Sequence, residues 1–364
     1  MSLDLENSEG VFMRHYIIPI FIPHYGCKHS CIFCNQRKIT GRDTPVRHQE
    51  VQAIIDEHLA RITEKRHIEV AFYGGSFTAL PLSMQSELLE PAYTALINKK
   101  IHGIRLSTRP DCITHRILEN LKKFGVSIIE LGVQSLDNTV LEASARGHNA
   151  LHVFQAMNLI KKMNITCGIQ LMPGLPLEDW NSLIHTAYGV IKLVPDFVRI
   201  YPTLVIANTQ LATRYDDGSY KALSLSAGII RSAYLKLFFA QQGILTIRTG
   251  LQATEDLDKG NIVLAGPYHP AFGEMVDSYI FYCMLAHFIE SILPMDKNDS
   301  IIIHHHSRDT SKIRGISNQN IKKVKRIYGI DHLILKQDGH SEDEIGFEYN
   351  NLYYVLNKKM IFFI

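Results

Sequence analysis

Tyr16-Ile-Ile-Pro-Ile-Phe-Ile-Pro-His24-Tyr-Gly-Cys27-Lys-His-Ser-Cys31-Ile-Phe-Cys34 joins a short apolar run to three cysteines crowded into eight residues. An Ile-rich run of that length reads as a strand buried on both faces. The cysteines then fall in the loop leaving its C-terminal end. Three thiolates so close converge on one centre only if the backbone wraps around it, and soft sulfur suits an iron-sulfur cluster and zinc alike. A structural zinc would want a fourth ligand, for which His24 or His29 stands near. A four-iron cubane held by three cysteines instead leaves one iron open to a cosubstrate. Cys112, Cys167 and Cys283 stand alone, and six cysteines in 364 residues do not make a disulfide framework.

Outward from this stretch, similar Ile- and Val-rich runs recur at 68–74, 103–108, 127–133, 166–172 and 197–202. Helical stripes separate them. Val51, Ile54, Ile55, Leu59 and Ile62 form one; Ile117, Leu118, Leu121 and Phe124 form a second, closed by Gly125; Val153, Ala156, Met157 and Ile160 form a third. Segments 82–97 and 178–193 complete the set. Strands alternating with helices imply right-handed βαβ units and a parallel sheet covered on both faces. The expected fold is α/β, a partial (β/α)6 barrel with a small C-terminal α+β extension. In such a barrel the loops after the strands share one rim, where chemistry sits.

Beyond residue 202 the pattern weakens into a helix at 223–241, a strand at 244–250 and a long buried helix at 273–293. A basic helix at 318–329 and short strands follow. The change of pattern predicts a tail at 1–13, a core at 14–295 and a small α+β region at 296–364. Formal charge is only +2, so the chain as a whole is no magnet for nucleic acid. Arg308, Lys312, Arg314, Lys322, Lys323, Lys325 and Arg326 nevertheless form a local basic stretch with Tyr328 behind it. It reads either as a phosphate-binding patch or as a solvated helix face. His304-His305-His306 reads either as a source of pH-dependent charge or a metal site, or as a strand end with alternating exposed imidazoles. The apolar runs fall short of the ~20 residues of a spanning helix, and residues 1–10 do not resemble a secretory signal. No membrane association and a cytoplasmic location are the expectation.

The three-two cysteine spacing after the first strand of a β/α repeat, with Phe33 between the last two cysteines, resembles the radical S-adenosylmethionine (SAM) superfamily. That resemblance implies a 4Fe-4S cluster on Cys27, Cys31 and Cys34, with SAM on the open iron. It also implies a reductase, flavodoxin or ferredoxin as electron donor. Gly74-Gly75-Ser76 resembles the superfamily's Gly-Gly-Glu segment for the methionine amino group, with Ser76 in place of the acid. Similarity to oxygen-independent coproporphyrinogen oxidases and their relatives assigns Gln134 to the ribose and Arg146 to the methionine carboxylate. Ser107 falls near the ribose. Arg109, Gln170, Tyr201, Tyr268 and His269 are candidate substrate contacts.

Seven segments, among them 72–78, 106–111, 131–137, 146–148, 199–203 and 265–273, are similar to the radical SAM portion of the Elongator catalytic subunit across roughly residues 14–290. The implied activity is radical modification of a tRNA nucleoside, and tRNA is the implied partner. The residues after 290 are too few for that family's acetyltransferase domain, and the cysteine spacing is more compact than in its full-length members. A radical SAM enzyme acting on a tetrapyrrole-like small molecule and a zinc-stapled RNA-binding protein are the alternative functions.

Overall fold

In the computed structural model, which describes residues 4–6, 12–22, 31–35, 46–251, 262–294 and 299–361, all six apolar runs are strands. A short β1 (Asp4–Glu6) pairs antiparallel with β2 (Phe12–Ile22). Then β3 (His67–Gly74), β4 (Gly103–Thr108), β5 (Val126–Gln134), β6 (Thr166–Leu171) and β7 (Phe197–Ile200) add in sequence order, each parallel to the last. The crossovers contain α1 (His48–Arg61), α2 (Leu82–Ile97), α3 (His115–Lys123), α4 (Asn138–Ala143), α5 (Ala150–Lys162) and α6 (Trp180–Leu193). Side chains of Thr114, Asp137, Asn149 and Asp179 accept backbone N–H bonds and so start α3 to α6. The sheet is the half-barrel of the expected α/β fold.

Register sorts the strand residues into two faces. Val70, Phe72, Ile104, Leu106, Ile129, Leu131, Ile169 and Leu171 are buried on one. The other face is polar at mid-depth: Glu69, Arg105, Glu130 and Arg199 form a connected charge network. Arg105 reaches Glu69 at 2.8 Å and Glu130 at 2.9 Å; Arg199 reaches Glu130 at 2.7 Å. Burial opposes ionisation of Glu69, but a hydrogen bond from His15 and the charges of Arg105, His15 and His67 prevail and hold its carboxyl at about 2. Burial, then Glu130, pushes the Tyr73 hydroxyl up to about 12, so it remains a donor.

Residues 1–222, 244–248 and 252–266 form one compact unit, and 223–243, 249–251 and 267–364 form another. The first also holds β8 (Val205–Ile206), α7 (Gln210–Asp216) and β10 (Val263–Ala265), which pairs with β8; β9 (Leu245–Thr249) extends the main sheet beyond β7. The division therefore falls earlier than the change of pattern near 295. The second unit is built on α8 (Leu225–Gln241) and the long α9 (Phe272–Ile292), with α10 (Thr310–Arg314) and α11 (Gln319–Tyr328). It also contains a sheet ordered β12 (His332–Gln337), β11 (Ser300–His305), β13 (Glu344–Tyr349) and β14 (Leu352–Asn357). Phe281, Met284, Leu285 and Phe288 of α9 share one core with Ile301, Ile303, Ile345 and Phe347. A helix apolar on so many sides must be enclosed, and the tail's strands enclose it.

That sheet corrects the expectation for the histidines. Because β11 is an inner strand, His304 and His305 do not alternate: both are buried, with 7% and 1% of their surface exposed. His304 Nδ1 lies 2.7 Å from Asp338 and its Nε2 3.3 Å from Glu348.

Candidate active site

Cys27 lies outside the described residues, as do His24 and His29. Cys31 and Cys34 follow, joined by a tight turn in which Cys34 N donates to Cys31 O at 3.1 Å. Between them Ile32 is buried in a small core with Val205, Leu211, Ala212 and Tyr220, and Phe33 packs against the same group. Ile32 N donates to Ser144 O at 3.2 Å, and Ile32 O accepts from Leu211 N at 2.8 Å. The apolar residues between the cysteines thus anchor the loop.

Two guanidinium groups converge on Cys31. Arg146 Nη1 donates to Cys31 Sγ at 3.2 Å, and Arg109 Nη1 lies 3.9 Å from the same sulfur. Asp111 holds Arg109 through bonds of 2.9 and 3.2 Å to Nε and Nη2. Arg146 is positioned differently: Nη2 donates to Gly132 O at 2.6 Å, while its buried Nε has no hydrogen-bond partner among the described residues. Unpaired buried donors are rare and expensive. This one belongs to a guanidinium whose Nη1 is on Cys31 Sγ, a sulfur that Arg109 also approaches, and such a group fits an anionic ligand such as a carboxylate.

Gly132 makes that geometry possible. A Cβ there would stand 2.8 Å from Arg146 Nη2 and 2.9 Å from Gln134 Nε2. Next to it, the β5–β6 register shifts between Gly132 and Gln134, and Gln134 adopts φ +69°. This irregularity re-aims the Gln134 amide, whose oxygen accepts a 3.2 Å bond from Gln170 Nε2. The structure therefore brings together Cys31, Arg109, Arg146, Gln134 and Gln170, which the sequence scattered over four strand ends.

Gly74 takes φ +106°, and a Cβ would lie 2.7 Å from Ile22 O; Gly75 N donates to that same oxygen at 2.7 Å. The Ser76 hydroxyl is spent inside the protein, bonded to Thr108 Oγ1 at 3.0 Å and accepting from Arg109 N at 3.3 Å. It ties the tips of β3 and β4 together. Ser107 is half-buried on the polar face, opposite Glu130 in register. The Tyr201 hydroxyl accepts from Arg199 Nη1 at 2.9 Å. Tyr268 and His269 belong to the second unit, where His269 Nδ1 accepts from Ala271 N at 3.0 Å at the start of α9. His148, two residues beyond Arg146, has its pKa pushed down to about 3 by burial and by the charges of Arg146 and Arg109.

Sequence reasoning overlooked the clamp of Asp111 on Arg109, the anchor at Ile32 and the spacing role of Gly132. It also overlooked the Glu69, Arg105, Glu130 and Arg199 network. Its only local signal is a charge placed on the polar face of an otherwise apolar strand.

A model of the Radical SAM superfamily matches residues 21–187, and one of the Radical_SAM C-terminal domain matches 195–281. An uncharacterized protein of Methanocaldococcus jannaschii is 30% identical over 213 residues, 54% of this chain and 64% of that one. A tRNA uridine(34) acetyltransferase of Methanocaldococcus infernus is 25% identical over 295 residues, 70% of this chain and 54% of the relative. The chain thus spans between about half and two thirds of the length of these relatives. The solved structure of archaeal Methanocaldococcus infernus Elp3 with an N-terminal deletion shares the fold, with a TM-score of 0.59 at 18% identity over 93% of this chain and 76% of that one. Among the described residues no helix is long and apolar enough to cross a membrane.

Proposed function

The chain belongs to the radical SAM superfamily, and from that premise we propose that it cleaves SAM reductively and uses the resulting radical to modify a nucleoside of tRNA. Cys27, Cys31 and Cys34 would hold the 4Fe-4S cluster. When bound and reduced, the cluster supplies the one electron that splits the sulfonium into methionine and a 5'-deoxyadenosyl radical. Every other task falls to the chain's own groups.

The observation that supports this reading is Arg146, a buried cation beside Cys31 with one donor unpaired among the described residues. Arg146 takes the methionine carboxylate, since its fork matches that anion. Arg109, held by Asp111, adds a second positive charge next to Cys31. The backbone of Gly74 and Gly75 receives the amino group, because Ser76 is bonded elsewhere. Gln134, oriented by Gln170, presents its amide to the ribose. Phe33 and Ile32 keep the ligand loop packed and dry. Ser107 and Tyr201 lie on the polar barrel face, where the target of the radical would enter; Tyr268 and His269 remain candidate substrate contacts.

The tRNA half of the reading rests on the likeness to tRNA uridine(34) acetyltransferases. Acetyl transfer is not included, since the match leaves much of those relatives uncovered. Anaerobically reconstituted protein with a reductant should form 5'-deoxyadenosine, and tRNA should raise that rate and gain a modified nucleoside by mass spectrometry. Stoichiometric zinc with no deoxyadenosine would overturn the radical reading. Deoxyadenosine formation that ignores tRNA, with an unchanged nucleoside profile, would overturn the RNA half alone.

A further inference from the structure

The basic stretch singled out in the sequence divides in three dimensions. Lys312 is committed to buried Asp309 at 2.6 Å, Arg308 to Glu342 at 2.7 Å, and Lys325 to the Asp331 carbonyl at 2.5 Å. Lys322, Lys323 and Arg326 recur at helical spacing on α11 and line a half-open groove of about 530 Å³. Across it, Met275, Tyr279 and Tyr282 repeat at four and three residues along α9 and give an aromatic wall. All of these residues lie in the second unit.

The groove's chemistry is one-sided. No Asp or Glu lines it, and among the described residues none of its three cations has a carboxylate partner. All three are exposed. Lys323 instead lies over the Tyr282 ring, its Nζ 3.9 Å from the centroid, so a cation and a π face are already paired there. A solvated helix face would need no tyrosines opposite it, and an apolar docking groove would not be rimmed by three cations. Aromatic faces beside unpaired cations are what a flexible polyanion with stacking bases requires.

We propose that this groove seats a single-stranded segment of RNA, with bases against Tyr279 and Tyr282 and phosphates against Lys322, Lys323 and Arg326. The proposal rests on the tRNA reading above and adds a binding site to it. It separates the cations that bind from those that hold the fold.

The test uses the reconstituted full chain and fluorescein-labelled tRNA, with anisotropy measured anaerobically over a series of salt concentrations. Combined Lys322→Ala, Lys323→Ala and Arg326→Ala substitutions remove three phosphate contacts. The slope of log affinity against log salt should become shallower by about 2, at ~0.7 per contact for single strands. Tyr279→Leu with Tyr282→Leu keeps apolar bulk and should weaken binding about tenfold or more through lost stacking. Lys325→Ala should change neither, and deoxyadenosine formation without RNA should hold in every variant. If the wild type binds tRNA and the triple variant matches it in affinity and slope, the groove is not the site, while the tRNA reading stands. If the wild type binds no tRNA, that reading itself falls. If RNA binding is normal but flavodoxin-driven deoxyadenosine formation drops while dithionite-driven formation does not, the groove takes an acidic protein instead, and the proposal is overturned.

Discussion

Replacing Gly132 with alanine tests the active-site geometry without removing any side chain assigned to the cofactor. The new Cβ would stand 2.8 Å from Arg146 Nη2 and 2.9 Å from Gln134 Nε2. Both are ends of side chains, so the backbone can hold while the guanidinium and the amide swing aside. Arg146 would lose its 2.6 Å bond to Gly132 O and with it its line onto Cys31. A hydrogen bond to a charged group contributes about 1.5–3 kcal/mol. At 1.4 kcal/mol per tenfold, the Kd for SAM should rise about 10- to 150-fold. Calorimetry on anaerobically reconstituted protein measures it, with iron content and far-UV circular dichroism recorded alongside. Arg146→Ala should weaken SAM binding at least as much, again with iron retained. If Gly132→Ala and Arg146→Ala both bind SAM as the wild type does while keeping their iron, the carboxylate is not on Arg146 and the assignment of the site is wrong.

Cys31→Ala should abolish iron and sulfide incorporation yet leave far-UV circular dichroism unchanged, because Ile32 and not the sulfur anchors the loop; unfolding of the variant would mark the site as structural. Arg105→Met leaves Glu69 and Glu130 buried without their shared cation. Since His15 and Arg199 still attend them, the loss in urea denaturation should sit near the lower end, about 3 kcal/mol, of the range for broken buried pairs. A loss below about 1 kcal/mol would show that the network does not hold the barrel. His148 carries a pKa pushed down to about 3, so the unfolded chain binds a proton below about pH 6.5 that the folded chain refuses. Stability should therefore fall as pH drops from about 6.5 toward 3, and His148→Gln should flatten that slope in urea titrations. Glu69 acts lower: its contribution is complete above about pH 4.5 and disappears only as pH falls through about 2.

The strands and helices were legible because their signal is local. Ile-rich runs, apolar stripes such as Val153, Ala156, Met157 and Ile160, and the closing Gly125 each speak for their own few residues. The cysteine run was equally plain, since three soft ligands must share a loop. What no local pattern contains is which side chains meet. The Arg146 guanidinium reaches Cys31 across 115 positions of chain, and only the order and register of parallel strands place it there. Gly132 looks like any strand glycine until the Gln134 amide of its own strand and the arginine from a later loop compete for the space of its missing Cβ. The histidines at 304 and 305 look solvent-exposed until β12 and β13 flank their strand. In the same way the basic residues of 308–326 looked alike, and only the structure distinguished Arg308, Lys312 and Lys325, held by carboxylate and carbonyl partners, from Lys322, Lys323 and Arg326, which face an aromatic wall. Periodicity is a property of neighbours in sequence, whereas compensation of buried charge depends on neighbours in space.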